Sequence, residues 1–147
     1  MSIFVKIFLI FVFHIFLYYI LKGYTKEKGG VTMSRRIREL LLTLGIHSTY
    51  RGFHFLVYAL LLCLEDENYL LSVSSTLYPT VAEHFDTSGA NVEHCIRTAI
   101  GSCYYHGNRA FLFQIARYEL PVKPTNSEFL DILYHYLISQ GAKDLPF

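Results

Sequence analysis

At 147 residues, with 13 basic and 12 acidic side chains, the chain has room for one ordinary domain with a core of its own. The near-neutral balance excludes a strongly basic, non-specific nucleic-acid binder, and three cysteines at irregular spacing exclude a cysteine metal motif. Apolar residues make up 52% of the chain, and their excess is concentrated at one end.

Residues 3 to 21, IFVKIFLIFVFHIFLYYIL, are almost wholly apolar. They approach the length of a membrane-spanning helix, about 20 residues. Lys22, Lys26, Lys28, Arg35 and Arg36 follow, so an anchored chain would carry its C-terminal domain in the cytoplasm. Lys6 and His14 interrupt the stretch, and the lack of an A-x-A-like site speaks against a cleaved signal peptide. A second explanation is preferred. Glu27-Lys28-Gly29-Gly30-Val31-Thr32-Met33 back-translates into a purine-rich ribosome-binding sequence, a short spacer and a start codon. AT-rich untranslated DNA would also yield the Phe, Ile, Leu, Lys and Tyr of residues 3 to 24. The expectation is that Met33 is the true start and residues 1–32 an over-extended reading, with an inner-membrane anchor over residues 3–21 as the alternative. Either way the chain divides into residues 1–32, an apolar segment, and 33–147, a globular domain. Removing the four lysines and one glutamate of the first part leaves nine basic and eleven acidic residues, a balance of about −2. Any DNA binding by the globular part must therefore rest on a local positive patch.

The globular part reads as a run of capped helices. In residues 35–44, Ile37, Leu40, Leu41 and Leu44 fall on one helical face, and Gly45 is a plausible stop. Ser48 or Thr49 can cap a second helix that runs to about Leu64 through Phe53, Leu56, Val57, Leu60 and Leu61. The cluster Glu65-Asp66-Glu67-Asn68 predicts a solvated turn, and Ser74-Ser75-Thr76 a loop or cap. Residues 77–85, LYPTVAEHF, predict a short helix with Pro79 in its first turn. A tight polar link, Asp86-Thr87-Ser88-Gly89, leads into a helix from about Ser88 to His106. Val92, Cys95, Ile96, Ala99, Ile100 and Cys103 line one of its faces; Asn91, His94, Arg97, Thr98 and Gly101 line the other. Gly107 ends it and Asn108 caps the next helix, NRAFLFQIARY. Beyond a loop from Leu120 to Pro124, Thr125-Asn126-Ser127-Glu128 forms a capping box for a last helix that buries Phe129, Ile132, Leu133, Tyr136 and Leu137. Six helices with short links and no strand alternation predict an all-α domain.

Helix, short polar turn, helix with a polar outer face is the helix-turn-helix pattern. Residues 77–85 would brace residues 88–106, which would present their N-terminal outer face to the major groove. Two packed helices in any bundle would give the same pattern. Cys63, Cys95 and Cys103 sit at apolar helical positions, as buried thiols in a reducing cytoplasm do. His47, His54, His84 and His135 show no ligand spacing, and Tyr104-Tyr105-His106 fits a packed helix end. No phosphate loop, nucleophile elbow or zinc-protease motif is present, so neither an enzyme, a metal nor a cofactor is expected.

Several blocks carry a family resemblance. They are Tyr50-Arg51-Gly52-Phe53; Leu77-Tyr78-Pro79-Thr80-Val81-Ala82; Val92-Glu93 with Ile96-Arg97 and Ala99-Ile100; Gly107-Asn108; and Lys123 through Phe129, KPTNSEF. In order and spacing, over residues 35–140, they resemble the C-terminal DNA-binding effector domain of stage-zero sporulation protein A, a response regulator of endospore-forming bacteria. The resemblance implies a cytoplasmic transcription regulator that binds double-stranded DNA at a promoter box, as a homodimer or as a heterodimer with a related regulator. It implies base reading by Asn91, Glu93, His94 and Arg97, with Arg97 suited to guanine and Glu93 to cytosine. It implies phosphate contacts from Arg51, Thr87, Ser88 and Lys123. A membrane is a partner only if residues 1–32 are translated.

The chain departs from the family in two ways. The family usually carries arginine where Asn91 and His94 stand, which changes the base preferred and lowers the positive charge. The family also has a receiver domain with a phosphoacceptor aspartate, for which this chain has no room, so phosphorylation control is expected to be absent. The competing expectation is a protein-interaction module that kept the fold, lost base reading and antagonises a full regulator.

Overall fold

The computed structural model describes residues 2–143, and of residues 21–31, 142 and 143 the backbone alone. The chain forms two compact units, Met1–Met33 and Ser34–Phe147. Six α-helices follow in order: α1 Ile3–Thr43, α2 Arg51–Glu65, α3 Tyr78–His84, α4 Gly89–His106, α5 Arg109–Ala116 and α6 Asn126–Lys143. A 3₁₀ turn, Glu67–Leu71, and a π turn, Val73–Leu77, join α2 to α3. No strand occurs among the described residues, and the fold is all-α.

In the first unit, Ile3–Ile20 is an 18-residue stretch of mean hydropathy 2.4 with none of its surface buried. At about 1.5 Å per residue it is about 27 Å long, close to a bilayer core. It is long and apolar enough to cross a membrane by length and composition, as a signal sequence also is. The side chains of Lys22, Lys26 and Lys28, read as a positive flank, and those of Glu27 to Val31, read as a buried start signal, lie outside the described residues. Helix begins well before Arg35: the backbone is already helical from Ile3.

In the second unit α4 is central, packing against α2, α3, α5 and α6. Val92, Ile96 and Ile100 of α4 are fully enclosed, together with Ile37 and Leu41 of α1, Leu44 just beyond it, Leu56 and Leu60 of α2, and Phe129 and Leu133 of α6. Each stripe repeats at i, i+3/i+4, which is why apolar burial selects helix here. Leu61 and Tyr136, expected inside, are half-buried, and Tyr134 is buried with its hydroxyl donating to Glu67 Oε2 over 3.4 Å. Cys63 and Cys103 are buried and Cys95 is half-buried. Burial pushes the Cys63 and Cys103 thiols up to about 11.

The helix ends agree in part with the expected caps. Asn108 Oδ1 accepts from the Phe111 amide at 3.1 Å, and Thr125 Oγ1 from the Glu128 amide at 3.2 Å. The return half of the Thr125 box is replaced, because the Glu128 carboxylate accepts the Tyr118 hydroxyl at 3.2 Å. Neither Ser48 nor Thr49 caps α2. The cap position is Tyr50, which makes no side-chain cap bond, and the helix starts one or two residues later than a hydroxyl cap would dictate. The acidic turn is ordered by Asp66, whose Oδ1 accepts from the Asn68 amide at 3.0 Å and opens the 3₁₀ turn. Ser74 to Thr76 lie in the π turn, where the Leu77 amide reaches Ser72 O at 3.2 Å.

Two glycines meet at the far end of the core. Gly45 has φ +84°, the left-handed value that glycine permits. A Cβ on it would stand 2.7 Å from Gly107 Cα, and one on Gly107 would stand 2.6 Å from Leu44 O. Gly107 itself is extended, with φ −98°, so close approach and not a left-handed stop requires glycine there. The Asn108 amide donates to Leu44 O at 3.0 Å and its side-chain amide to Thr43 O at 3.3 Å.

Candidate nucleic-acid interface

Helix α3 and the start of α4 are built as a braced pair. The ring of Phe85 meets Phe55 edge-on at 5.0 Å, and His84 stacks flat on Tyr58 at 4.0 Å, which fixes α3 on α2. The chain then reverses. Asp86 adopts φ +53°, a left-handed conformation that aspartate tolerates. The Thr87 amide returns to Ala82 O at 2.9 Å, closing α3 as a Schellman-type end does. Ser88 is the cap of α4, and its Oγ accepts from the Asn91 amide at 3.1 Å. Three residues, Phe85 to Thr87, thus separate α3 from the cap of α4.

The tilt of α4 is set at Gly52. A Cβ there would run into the Cys95 carbonyl oxygen and stand 2.9 Å from Ala99 Cβ. Helices α2 and α4 therefore cross backbone to backbone, and the start of α2 lies against the N-terminal half of α4. The other side of α4 is held by Asn126, whose Nδ2 donates to Glu93 O at 3.1 Å and to the Tyr78 hydroxyl at 3.0 Å. Burial pushes the Tyr78 phenol above its ordinary range; the Asn126 hydrogen bond opposes this, as does the charge of Arg97, while that of Glu93 adds to it.

The expected base readers separate into two groups. Glu93, His94 and Arg97 lie on the outer side of α4, with His94 and Arg97 exposed and Glu93 half-buried. The Arg97 guanidinium is paired with the Glu93 carboxylate one turn earlier. Asn91 is half-buried and engaged within its own turn: Nδ2 donates to Thr87 Oγ1 at 2.9 Å, and Oδ1 accepts from Cys95 Sγ at 3.6 Å. Among the expected phosphate contacts, Thr87 is half-buried and holds Asn91, whereas Ser88 is exposed and holds the Asn91 amide. Arg51 is exposed at the start of α2, its guanidinium 5.4 Å from the Phe55 ring centre. Lys123 lies beside α4, about 4 Å from where a Cβ on Gly101 would be. It shares with Glu93 and Arg97 a recess of about 430 Å³ floored by Tyr78 and the Pro124–Ser127 turn. The structure thus brings Glu93, Arg97 and Lys123 together and Thr87, Ser88 and Asn91 together, with His94 exposed next to Glu93 on α4.

Gly52, Tyr78 and Asn126 set the position of α4 and were not singled out by sequence reasoning for that role. Their signal was present only as membership of matching blocks. Among the described residues no group of three His, Cys, Asp or Glu side chains could hold a metal.

A family model described as "Sporulation initiation factor Spo0A C terminal" matches residues 37–137. The chain belongs to this family. The match begins at Ile37 and ends at Leu137, the first and last buried apolar residues among the described residues of the second unit. The Spo0A C-terminal family is one of DNA-binding effector domains and not a class of enzymes. DNA binding, transcription regulation and the helix-turn-helix, read above from α3 and α4, are properties of this family. Helices α3 and α4, with the link Phe85–Ser88 between them, lie within the matched residues.

Proposed function

We propose that this protein is a sequence-specific DNA-binding transcription regulator that reads promoter DNA with the outer side of α4. The family match over residues 37–137 carries the reading. Its physical support is the fixed helix-turn-helix, with Arg97 and His94 exposed on α4 and Lys123 and Arg51 at its flanks. Arg97 reads guanine through its planar fork once it exchanges Glu93 for a base edge, and Glu93 is then free to accept from cytosine. Arg51, Ser88 and Lys123 position the domain on the backbone. The domain works in the cytoplasm and binds its site as a dimer, with itself or with a related regulator. Its caps and core lie within residues 37–137, so it needs no phosphorylated receiver to form the reading surface.

A second reading is a protein-interaction module that occupies a related regulator and blocks it. The Glu93–Arg97 pair, the internal bonds of Asn91 and the slight negative balance of the globular part favour it. An electrophoretic mobility titration decides between the two, run against the family's promoter box and against a randomised duplex pool at low and moderate salt. Selective binding that weakens linearly in log salt supports the first reading. No shift with any duplex at low salt refutes it, and loss of a related regulator's own shift on adding this chain would then support the second.

A further inference from the structure

We infer that Asn91 acts as a positioning residue that clasps the turn to the reading helix, so that base reading by α4 begins at Glu93 and His94. The inference rests on the DNA-binding reading above. The side chain of Asn91 stands at the third position of α4, where a helix-turn-helix normally offers its first base-reading group. In this chain both of its polar atoms are engaged with neighbours. Nδ2 donates to Thr87 Oγ1 at 2.9 Å across the turn, and Oδ1 accepts from Cys95 Sγ at 3.6 Å one turn along the helix. The backbone amide of the same residue donates to Ser88 Oγ at 3.1 Å. Thr87 is itself fixed, because its amide closes α3 on Ala82 O at 2.9 Å. One asparagine therefore joins the end of α3, the cap of α4 and the second turn of α4.

A side chain so placed cannot present its amide to adenine without breaking a half-buried hydrogen bond to Thr87, and that exchange returns little net energy. The clasp holds Thr87, the neighbour of Asp86, whose left-handed backbone is enclosed by the Thr87 amide bond to Ala82 O. On the outer face the next exposed side chains are His94, Arg97 and Thr98. The reading window is thus displaced toward the middle of α4 and is narrower by one position.

The test uses wild type, Asn91→Ala, Thr87→Val, Thr87→Ser and the Asn91→Ala/Thr87→Val double variant of the full chain. Each is titrated with the best duplex from a randomised pool and with a panel in which every base pair of that duplex is changed singly. Asn91→Ala and Thr87→Val should each weaken binding to every duplex by the same factor, about fivefold for one net hydrogen bond. The order of preference should be unchanged. Thr87→Ser, which keeps the hydroxyl, should restore binding, and the double variant should be no weaker than Asn91→Ala. Loss of preference at a single base pair in Asn91→Ala would overturn the inference, because that marks a base reader. Full binding by Thr87→Val would overturn it too. Hydrogen exchange of the amides of residues 86–91 in the free protein provides a readout independent of DNA. The two single variants should speed it equally, and unchanged exchange refutes the clasp even if no duplex binds the wild type.

Discussion

Replacing Gly52 by alanine should destabilise the domain, against the sign that helix propensity gives. In an isolated helix the change gains about 1 kcal/mol. Here a Cβ would run into the Cys95 carbonyl oxygen and stand 2.9 Å from both Cys95 C and Ala99 Cβ. Carbon atoms pack at about 3.5–4.0 Å, so α2 and α4 must part by about 1 Å. Two of these obstacles are backbone atoms, so no side chain can turn aside. A gap of that size forfeits about a quarter to a half of the dispersion energy across the crossing. Overpacking of this kind costs about 1–3 kcal/mol, and a backbone obstacle places it at the top of that range. After the propensity gain the net loss should be about 2 kcal/mol. Urea unfolding followed by circular dichroism measures it as a lower midpoint at unchanged slope. The same shift moves α4 relative to α2, so binding to the preferred duplex should fall as well. A midpoint equal to or above wild type would refute the backbone-to-backbone crossing.

Further outcomes are specified by the same geometry. Arg97→Ala should leave the fold intact and remove about 1–3 kcal/mol of discrimination at one base pair in a competition binding assay. Ile96→Ala should cost about 2–5 kcal/mol of stability, since Ile96 is wholly enclosed; the reverse pattern in thermal melts would mean that the faces of α4 are inverted. Cys63 and Cys103 have thiols raised from 9.0 to about 11 by burial, so the folded state holds protons that the unfolded state releases. Their contribution to stability is full below pH 9 and is lost as pH rises toward 11; a denaturation midpoint constant over that interval contradicts it. The protein made in its own host is expected to begin at Met33 or Ser34 and to remain in the soluble fraction. N-terminal peptide mapping checks this, and peptides from residues 7 to 22 in a membrane pellet would establish the anchored form instead.

The features legible in the sequence are those that depend on local pattern. The stripes of α1, α4 and α6 repeat at helical spacing, and the caps Asn108 and Thr125 each accept from the amide three residues on. These are interactions within one turn of chain, so the sequence carries both partners side by side. What local pattern does not carry depends on distant partners. Gly107 ends α4 as read, but glycine is required there because Leu44 O lies against it, 63 residues earlier in the chain. Glu128 has the spacing of a reciprocal box, yet a tyrosine ten residues upstream offers its carboxylate a better-placed donor. Asn91 has the helical angle of a base reader, but its rotamer is decided by Thr87 and Cys95, which no periodicity announces. At the start of α2 the serine and threonine are simply bypassed, and burial of Phe53 and Leu56 fixes the helix without a side-chain cap.

The joint between Gly45 and Gly107 bears on how the domain comes apart. It ties the end of α1 to the link between α4 and α5, closing a segment of about 60 residues that contains α2, α3 and all of α4. Contacts of such separation in sequence form only when the intervening chain has collapsed, and they bind its parts into one cooperative unit. The Asn108 amide, held by Leu44 O, should therefore exchange with solvent only when the whole domain opens. A protease that cut before Ile46 would also release a reading helix whose far end had lost its anchor.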